Sequence, residues 1–209
     1  MSYKPVNFSD FIWTEENSVS NKFCDSAIDK FENSSELYDG VVGGGHRPDI
    51  KKTKDLHITA GSNYDLYLRD KANAAIEKYF NHCRSFHPTC SLPTGQELLF
   101  DSYGFHEVWI MQKYNSDGYF KWHSDDNGIR VLSFIWYLNT LDDGHTEFID
   151  GTKIKPEKNK LLIFPSNWNY IHCGNQPSSV KYIIVGWLQR ASEKINLEYK
   201  NVSTEGLSL

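Results

Sequence analysis

The chain has 209 residues and a formal net charge of −5, and 39% of its residues are hydrophobic and 14% aromatic. This composition indicates a folded protein with a sizeable core and excludes a disordered tail. A pI near 5.9 gives no electrostatic basis for non-specific nucleic-acid binding, and a mean hydropathy of −0.55 agrees with the lack of a run that could span a bilayer.

The first half of the chain is predicted to form helices and loops. Apolar residues at helical spacing predict one helix over Asn21–Asn33 and a longer one over Asn63–Phe86. Between them, GVVGGGHRPDIKKTKD (residues 40–55) carries too many Gly and Lys residues for a central element, which predicts a mobile, partly basic loop. The loop either stays solvated or folds over a bound substrate as a lid. The residues expected to be buried on the longer helix are Leu66, Ala74, Ile76, Tyr79, Phe80 and Cys83.

Short apolar runs separated by turn-rich sequence recur in the second half. Many short strands without intervening helices predict a β-sandwich or barrel. We expect an α+β fold with a mainly β core in one domain, with helical and loop support over about 1–100, the β core over about 101–190 and a tail over 191–209. The predicted strands are Glu107–Tyr114, Arg130–Asn139, Thr146–Ile149, Lys160–Pro165 and Lys181–Gln189.

The N-terminus and the cysteines bear on location. The start, MSYKPVNFSDFIWTEEN, mixes acidic and polar residues where a secretory signal would need an apolar stretch. The cysteines form no CxxC pair, so reduced structural thiols are favoured over a zinc site or a disulfide scaffold. These observations predict a cytoplasmic protein with no membrane contact. The cysteines are Cys24, Cys83, Cys90 and Cys173.

A possible metal site begins with the pair His123 and Asp125, which follows a strand-like run. Both side chains can turn towards one ion, although a solvated histidine beside turn-forming acids is the alternative. His172, about 50 residues later, supplies a third ligand. Two histidines and one carboxylate with open coordination positions are typical of non-haem Fe(II) oxygenases.

A lysine follows the third ligand at the start of another apolar run. Lys181 opens KYIIVGWL, nine residues after His172. An unpaired buried ammonium is costly, so this position predicts an anionic partner. We expect the lysine to hold the distal carboxylate of a dicarboxylate cosubstrate.

The spacing H-x-D…H-x8-K resembles that of the 2-oxoglutarate- and Fe(II)-dependent dioxygenases, in particular their prolyl 4-hydroxylase-like branch. The resemblance runs from Met111 to Leu188, and DIKKTKD resembles, less sharply, the branch's Ile-Arg-x-Ser/Thr segment. It implies a double-stranded β-helix, or jelly roll, with the N-terminal helices packed on one sheet. The five ordered motifs are MQKYNSDGYFKWHSD, RVLSFIWYLNT, DGHTEF, KPEKNKLLIFPS and IHCGNQPSSVKYIIVGWL.

The resemblance also implies roles for individual residues. The distal carboxylate of 2-oxoglutarate would be shared by a lysine and a tyrosine hydroxyl, with a second tyrosine near the cosubstrate. A basic residue matches a position that holds peptide substrate in some members, and a tryptophan beside a proposed ligand is expected to line a substrate groove. The implied iron ligands are His123, Asp125 and His172; the 2-oxoglutarate residues are Lys181, Tyr137 and Tyr114; the substrate residues are Arg130 and Trp122.

Two departures from the branch's pattern affect the site. His145 stands where the branch has the second Gly of Gly-Gly-x-Thr, which creates a competing His-x-Glu pair with Glu147. Only the His123 pair has the expected separation from His172 and Lys181. Lys51 stands where the branch has arginine, so contacts with substrate are expected to differ.

The implied activity is hydroxylation of an unactivated C–H bond, with Fe(II) as cofactor, 2-oxoglutarate and O2 as cosubstrates, and succinate and CO2 as products. A prolyl residue in a peptide or protein is the expected substrate, and ascorbate is expected to help. A free amino acid or another small molecule is the alternative substrate. A non-catalytic, cupin-like metal-binding protein and an interaction protein with an accidental triad are the remaining alternatives.

Overall fold

The structure, a computed structural model, describes residues 5–86, 103–104 and 109–190. The predictions for Glu107, Cys90 and the 191–209 tail lie outside these residues. Within them the chain forms a 3₁₀ helix (Phe8–Phe11), the helices α1 (Asn21–Glu32) and α2 (Asn63–Phe86), and thirteen strands. In chain order the strands are β1 (Trp13–Glu15), β2 (Tyr38–Asp39), β3 (Lys51–Lys52), β4 (Lys54–His57), β5 (Tyr103–Gly104), β6 (Ile110–Tyr114), β7 (Tyr119–His123), β8 (Arg130–Tyr137), β9 (Thr146–Phe148), β10 (Lys153–Ile154), β11 (Leu161–Pro165), β12 (His172–Gly174) and β13 (Lys181–Arg190).

The strands form two antiparallel sheets. The larger sheet has the order β1-β11-β8-β13-β6-β4-β2, and β5 pairs with the end of β13. The smaller sheet has the order β10-β9-β12-β7-β3. Where the five strands predicted from the sequence fall on described residues they are confirmed, with ends shifted by one or two residues. The predicted sandwich is therefore correct, but it has more short strands than the apolar runs indicated.

The larger sheet is covered on both faces, because the helices pack on one face and the smaller sheet on the other. On β8, Leu132, Phe134 and Trp136 belong to the core shared with α1 and α2. Ile135 and Tyr137 alternate with them and belong to the core between the sheets. This double burial explains why the strand reads as a nearly continuous apolar run.

The helices occupy the ranges predicted for them. Ser20 caps α1 by accepting a hydrogen bond from the backbone N–H of Phe23 at 3.1 Å. The predicted buried face of α2 is partly wrong, since Leu66 is 42% exposed and Ala74 is exposed. No helix among the described residues is long and apolar enough to cross a membrane. The buried residues of α2 are Asp65, Leu68, Ala72, Ala75, Ile76, Tyr79 and Cys83.

The row of buried side chains on α2 begins at a charged residue, Asp65. The prediction of the buried face was partly wrong because it counted only apolar residues. Asp65 accepts hydrogen bonds from the backbone N–H of Gly61 and from Arg69 Nε, both at 2.8 Å. A carboxylate with these partners can be buried, so the helix presents Asp65 and Leu68 to the core and leaves Leu66 in solvent.

The segment 40–55 is also partly wrong as a surface loop. Its last residues form β3 in the smaller sheet and β4 in the larger sheet, so the chain changes sheets at Thr53. Asp55 accepts hydrogen bonds from Lys51 Nζ at 2.6 Å and from the Thr53 hydroxyl at 2.7 Å, and all three residues are buried. The ion pair neutralises the lysine, which allows a Lys-rich segment to lie inside the fold.

Candidate active site

A cavity of 580 Å³ lies between the two sheets. Strands of both sheets line it, and so does the segment around Val42 that precedes β3. Lys181 lies in a buried part of the lining, with 1% of its surface exposed, and Trp122 lies at the mouth, half exposed. The cavity collects seven of the eight predicted site residues: Tyr114, Trp122, His123, Asp125, Arg130, His172 and Lys181.

Three of these residues form the only group of metal-ligand side chains found among the described residues. One ligand atom from each of His123, Asp125 and His172 lies within 4.8 Å of the others. Nε2 of His123 is 3.7 Å from Asp125 Oδ1, and Nε2 of His172 is 3.8 Å from Oδ2. His123 ends β7 and His172 begins β12, and the two residues are register partners in the smaller sheet.

Both imidazole rings are held with Nε2 free to ligate. Nδ1 of His123 is 2.8 Å from the carbonyl oxygen of Lys121, and Nδ1 of His172 is 3.0 Å from that of Tyr170. A carbonyl oxygen only accepts, so each Nδ1 carries the proton and each Nε2 keeps its lone pair. Phe120 stacks on the His123 ring with centroids 3.5 Å apart, which fixes that ring's plane.

The protonation states also suit a metal. Burial and the neighbouring charge of His172 lower the pKa of His123 far below its ordinary value. Burial opposes ionisation of Asp125, but both histidines and the hydrogen bonds from Ser133 and Trp187 outweigh it and lower the pKa of this carboxyl. A neutral imidazole and an ionised carboxylate are the forms that bind metals. The donor set and its orientation therefore fit Fe(II).

Lys181 is a buried cation in the same cavity. Its Nζ donates to the carbonyl oxygens of Gly144 at 2.6 Å and Asn175 at 3.5 Å, and lies 4.2 Å from the centroid of the Tyr114 ring. None of the carboxylates in the described part of the chain forms an ion pair with it. Burial lowers the pKa of Lys181 to about 7. An anionic ligand in this cavity would supply the missing counter-charge.

The two tyrosines assigned to 2-oxoglutarate differ in position. Tyr114 lines the cavity, and its hydroxyl donates to Gln112 Oε1 at 3.2 Å. Tyr137 is fully buried and does not line the cavity, and its hydroxyl donates to Thr146 Oγ1 at 2.7 Å. Thr146, which the sequence motifs did not single out as a site residue, lines the cavity beside Tyr137. Alternation along β9 was the available signal, since Thr146 and Phe148 both face inwards.

The two substrate candidates lie near the mouth of the cavity. The guanidinium of Arg130 lies 3.7 Å above the Trp187 ring, and its Nη1 donates to the backbone carbonyl of Asp125 at 3.2 Å. Trp122 lines the cavity beside His123 and is half exposed. Arg130 therefore also braces the loop that carries a metal ligand.

The competing pair His145 and Glu147 is not part of the metal-ligand group. Glu147 Oε2 accepts a hydrogen bond from Asn175 Nδ2 at 2.7 Å, and Oε1 lies 3.4 Å from Lys153 Nζ. These contacts, to a residue of the neighbouring strand β10 and to one just after β12, account for Glu147 without a metal.

A comparison of the sequence with protein families shows which group of proteins the cavity-forming segment resembles. Residues 109–189 match the 2OG-Fe(II) oxygenase superfamily, and this range contains the three ligands and Lys181. This segment, 81 of the 209 residues, is similar to the 2-oxoglutarate- and Fe(II)-dependent dioxygenases. The match and the His-Asp-His group both support the predicted cofactor, Fe(II), and the predicted cosubstrate, 2-oxoglutarate. No curated protein gives a significant match to this chain.

Solved structures confirm the double-stranded β-helix fold. A viral collagen prolyl hydroxylase from Paramecium Bursaria Chlorella virus-1, in complex with 2-oxoglutarate, is 19% identical with a TM-score of 0.61, covering 87% of this chain and 97% of the viral chain. A Pseudomonas putida prolyl-4-hydroxylase is 16% identical with a TM-score of 0.62, covering 86% and 93%. A Trichoplax adhaerens prolyl hydroxylase, in complex with a hypoxia inducible factor peptide fragment, is 14% identical with a TM-score of 0.66, covering 91% and 87%.

Proposed function

We propose that the protein is a 2-oxoglutarate- and Fe(II)-dependent oxygenase that hydroxylates a prolyl residue in a peptide or protein. The observation that carries the proposal is the open, apolar mouth of the cavity that holds the metal ligands. Val41 and Trp122 both line the cavity, yet 49% and 50% of their surfaces are exposed. Exposed apolar side chains grouped at a pocket mark sites for macromolecular partners. A proline ring packs well on an indole face, so Trp122 suits a chain that presents proline.

The interior of the cavity provides for the cosubstrate. When bound, Fe(II) couples the oxidative decarboxylation of 2-oxoglutarate to activation of O2. Lys181 orients the dianion by pairing with its distal carboxylate, because the described part of the chain leaves this ammonium without an anionic partner. Ile183 and Val185, which follow it on the cavity face of β13, exclude water from the space between the lysine and the metal ligands.

The structural neighbours support a peptide substrate at the level of the fold. All three described above are prolyl hydroxylases, and the Trichoplax adhaerens enzyme holds a peptide fragment. The volume of 580 Å³ also falls within the range of about 300–1,000 Å³ that is common for ligand pockets. A cavity of this size accommodates a side chain in addition to the cosubstrate.

Succinate formation with defined substrates tests the proposal. Wild type would be incubated with Fe(II), 2-oxoglutarate and O2, with and without ascorbate, and given a set of proline-containing peptides, the same peptides with alanine for proline, or free proline. We expect succinate formation to rise only with some proline peptides, and mass spectrometry to place one added oxygen atom on proline. His172→Ala serves as the inactive control.

The other outcomes separate the alternatives. Stimulation by free proline or another small molecule, and by none of the peptides, would contradict the peptide proposal and favour the small-molecule oxygenase. Oxygen added to a residue other than proline would keep the peptide substrate and overturn the prolyl assignment. The dependence on ascorbate and the cytoplasmic location stay predictions.

A further inference from the structure

Two buried serines lie behind the carboxylate ligand. The Ser133 hydroxyl donates to Asp125 Oδ2 at 2.7 Å, and Ser133 Oγ lies 2.8 Å from Ser166 Oγ. Each serine has 1% of its surface exposed. Ser133 is on β8, and Ser166 directly follows β11, where its backbone N–H donates to the carbonyl of Val131 at 3.0 Å. Both hydroxyls are therefore held by the larger sheet.

The hydrogen bonds in this pair can run in only one direction while Asp125 is ionised. A carboxylate has no proton to donate, so Ser133 must be the donor to Oδ2. The single proton of Ser133 is then used, and its oxygen accepts from the Ser166 hydroxyl. The result is a relay from Ser166 to Ser133 to Asp125, in which each bond polarises the next.

The relay crosses from one sheet to the other. Asp125 lies just after β7, in the smaller sheet, together with both histidine ligands, whereas the serines belong to the larger sheet. Trp187 on β13 also hydrogen-bonds the carboxylate, and Arg130 binds its backbone carbonyl. Because Asp125 is not in a strand, its position depends on these side chains and not on backbone pairing.

We propose that Ser133, supported by Ser166, is a positioning residue that fixes the orientation of the Asp125 carboxylate beside the two histidine ligands. The hydroxyl donates to Oδ2, and the carboxylate held in this way has Oδ1 at 3.7 Å from His123 Nε2 and Oδ2 at 3.8 Å from His172 Nε2. Partners of this kind, which orient a ligand without touching the metal, commonly change metal affinity when they are removed. The inference depends on the metal site and not on the identity of the substrate.

Metal titration of the apoprotein tests the relay. Co(II) would be titrated into wild type, Ser133→Ala, Ser133→Thr and Ser166→Ala, with calorimetry for affinity and the visible Co(II) spectrum for coordination. We expect Ser133→Ala to weaken Co(II) binding by about 10-fold and to change the spectrum. Ser133→Thr keeps the hydroxyl and should restore both, whereas Ser166→Ala should weaken binding by about threefold, since it removes one neutral hydrogen bond.

Ser18→Ala is the matched control. Ser18 accepts a hydrogen bond from Nε1 of Trp136, which lies on β8 as Ser133 does. Ser18 contacts none of the three ligands, so the Ser18→Ala substitution should leave Co(II) affinity unchanged. Thermal unfolding of each apoprotein verifies that it is folded. Unchanged Co(II) affinity and an unchanged spectrum in Ser133→Ala would overturn the proposal. A loss of affinity that Ser133→Thr does not restore would also overturn it, because that loss would reflect packing and not the hydroxyl. Absence of Co(II) binding in wild type would instead overturn the metal site itself.

Discussion

The two ends of the cavity differ in whether their charged side chains have partners in the protein. At the metal end, Asp125 has hydrogen-bond donors in Ser133 and Trp187, and both imidazoles donate to backbone carbonyls. At the other end, the Lys181 ammonium contacts two carbonyl oxygens and an aromatic ring, with no counter-ion among the described residues. The side chains at the metal end are therefore held in place before a metal binds. The lysine end instead carries a positive charge that a ligand would neutralise.

Removing a metal ligand should give the largest effect. His172→Ala takes away one of three donors, so we expect Co(II) affinity to fall by more than about 100-fold, beyond the loss typical of an outer partner. Succinate formation should be lost with it. His145→Ala is the control, and calorimetry with the succinate assay measures both variants. Loss of metal in His145→Ala and not in His172→Ala would show that the competing pair holds the ion.

Removing the cation should affect ligand binding and stability in opposite directions. In Lys181→Met we expect binding of 2-oxoglutarate to weaken by about 30-fold or more, because a buried charge pair loses one member. The apoprotein should become more stable to urea at neutral pH, because an uncompensated buried charge is gone. An anaerobic Fe(II) titration, followed by the visible charge-transfer band, measures the first effect.

Lys160→Met is the matched control for this variant. Lys160 is also buried, but it pairs with Glu16 at 3.2 Å and Glu157 at 2.6 Å. Its removal should lower stability and leave the affinity for 2-oxoglutarate unchanged. Equal affinities for 2-oxoglutarate in Lys181→Met and wild type would contradict the assignment of the lysine.

The affinity for 2-oxoglutarate should depend on pH through the same lysine. With a pKa of about 7 in the folded protein, Lys181 is mostly protonated at pH 6.5 and mostly neutral at pH 8. Since the dianion requires the ammonium, its binding should weaken by about eightfold between these values, and Lys181→Met should lack this slope. A wild-type profile as flat as that of the variant would contradict the role of the lysine.

The pH dependence of apoprotein stability should have the opposite sign. The folded-state pKa of Lys181 is depressed from 10.5, so the unfolded chain binds more protons between about pH 7 and 10.5. Stability of wild type relative to Lys181→Met should therefore rise with pH, by about 2 kcal/mol from pH 7 to pH 9. Urea unfolding of both apoproteins at the two pH values gives this difference.

The smallest effect is expected at the cavity mouth. Trp122→Ala should raise the KM for a peptide substrate by roughly five- to tenfold, because it removes an aromatic contact. Co(II) affinity and succinate formation without peptide should not change. Trp168→Ala removes a tryptophan that is 73% exposed and does not line the cavity, and it should leave the KM unchanged. Equal effects of the two variants would contradict a role of Trp122 in the groove.

Features that depend on local pattern were predictable from the sequence. The helix ranges follow from 3.6-residue spacing, and the strands of the second half follow from apolar runs between turns. The metal site was predictable because its members are unusual residues at a characteristic separation. The structure brings His123, Asp125 and His172 together as that separation indicates.

Features that depend on partners distant in the fold were not predictable. Lys51 looks solvated in the sequence, and its burial requires Asp55 to pair with it at the point where the chain changes sheets. Ser133 lies in an apolar run with no local sign that it faces a ligand on the other sheet. The distinction between Tyr137 and Thr146 likewise depends on how β8 and β9 approach each other from different sheets.

The segment between Gly40 and Lys51 starts at the end of β2, in the larger sheet, and ends at β3, in the smaller sheet. Both of its ends are therefore held by strands, and they lie close together, because the Gly40 N–H donates to the carbonyl oxygen of Thr53 at 3.0 Å. The conformational entropy of closing this loop is therefore lost when the protein folds and not when a ligand binds. A ligand that contacts Val41 or Val42 in the cavity would bear a smaller entropic cost for ordering this segment than it would with a tail free at one end.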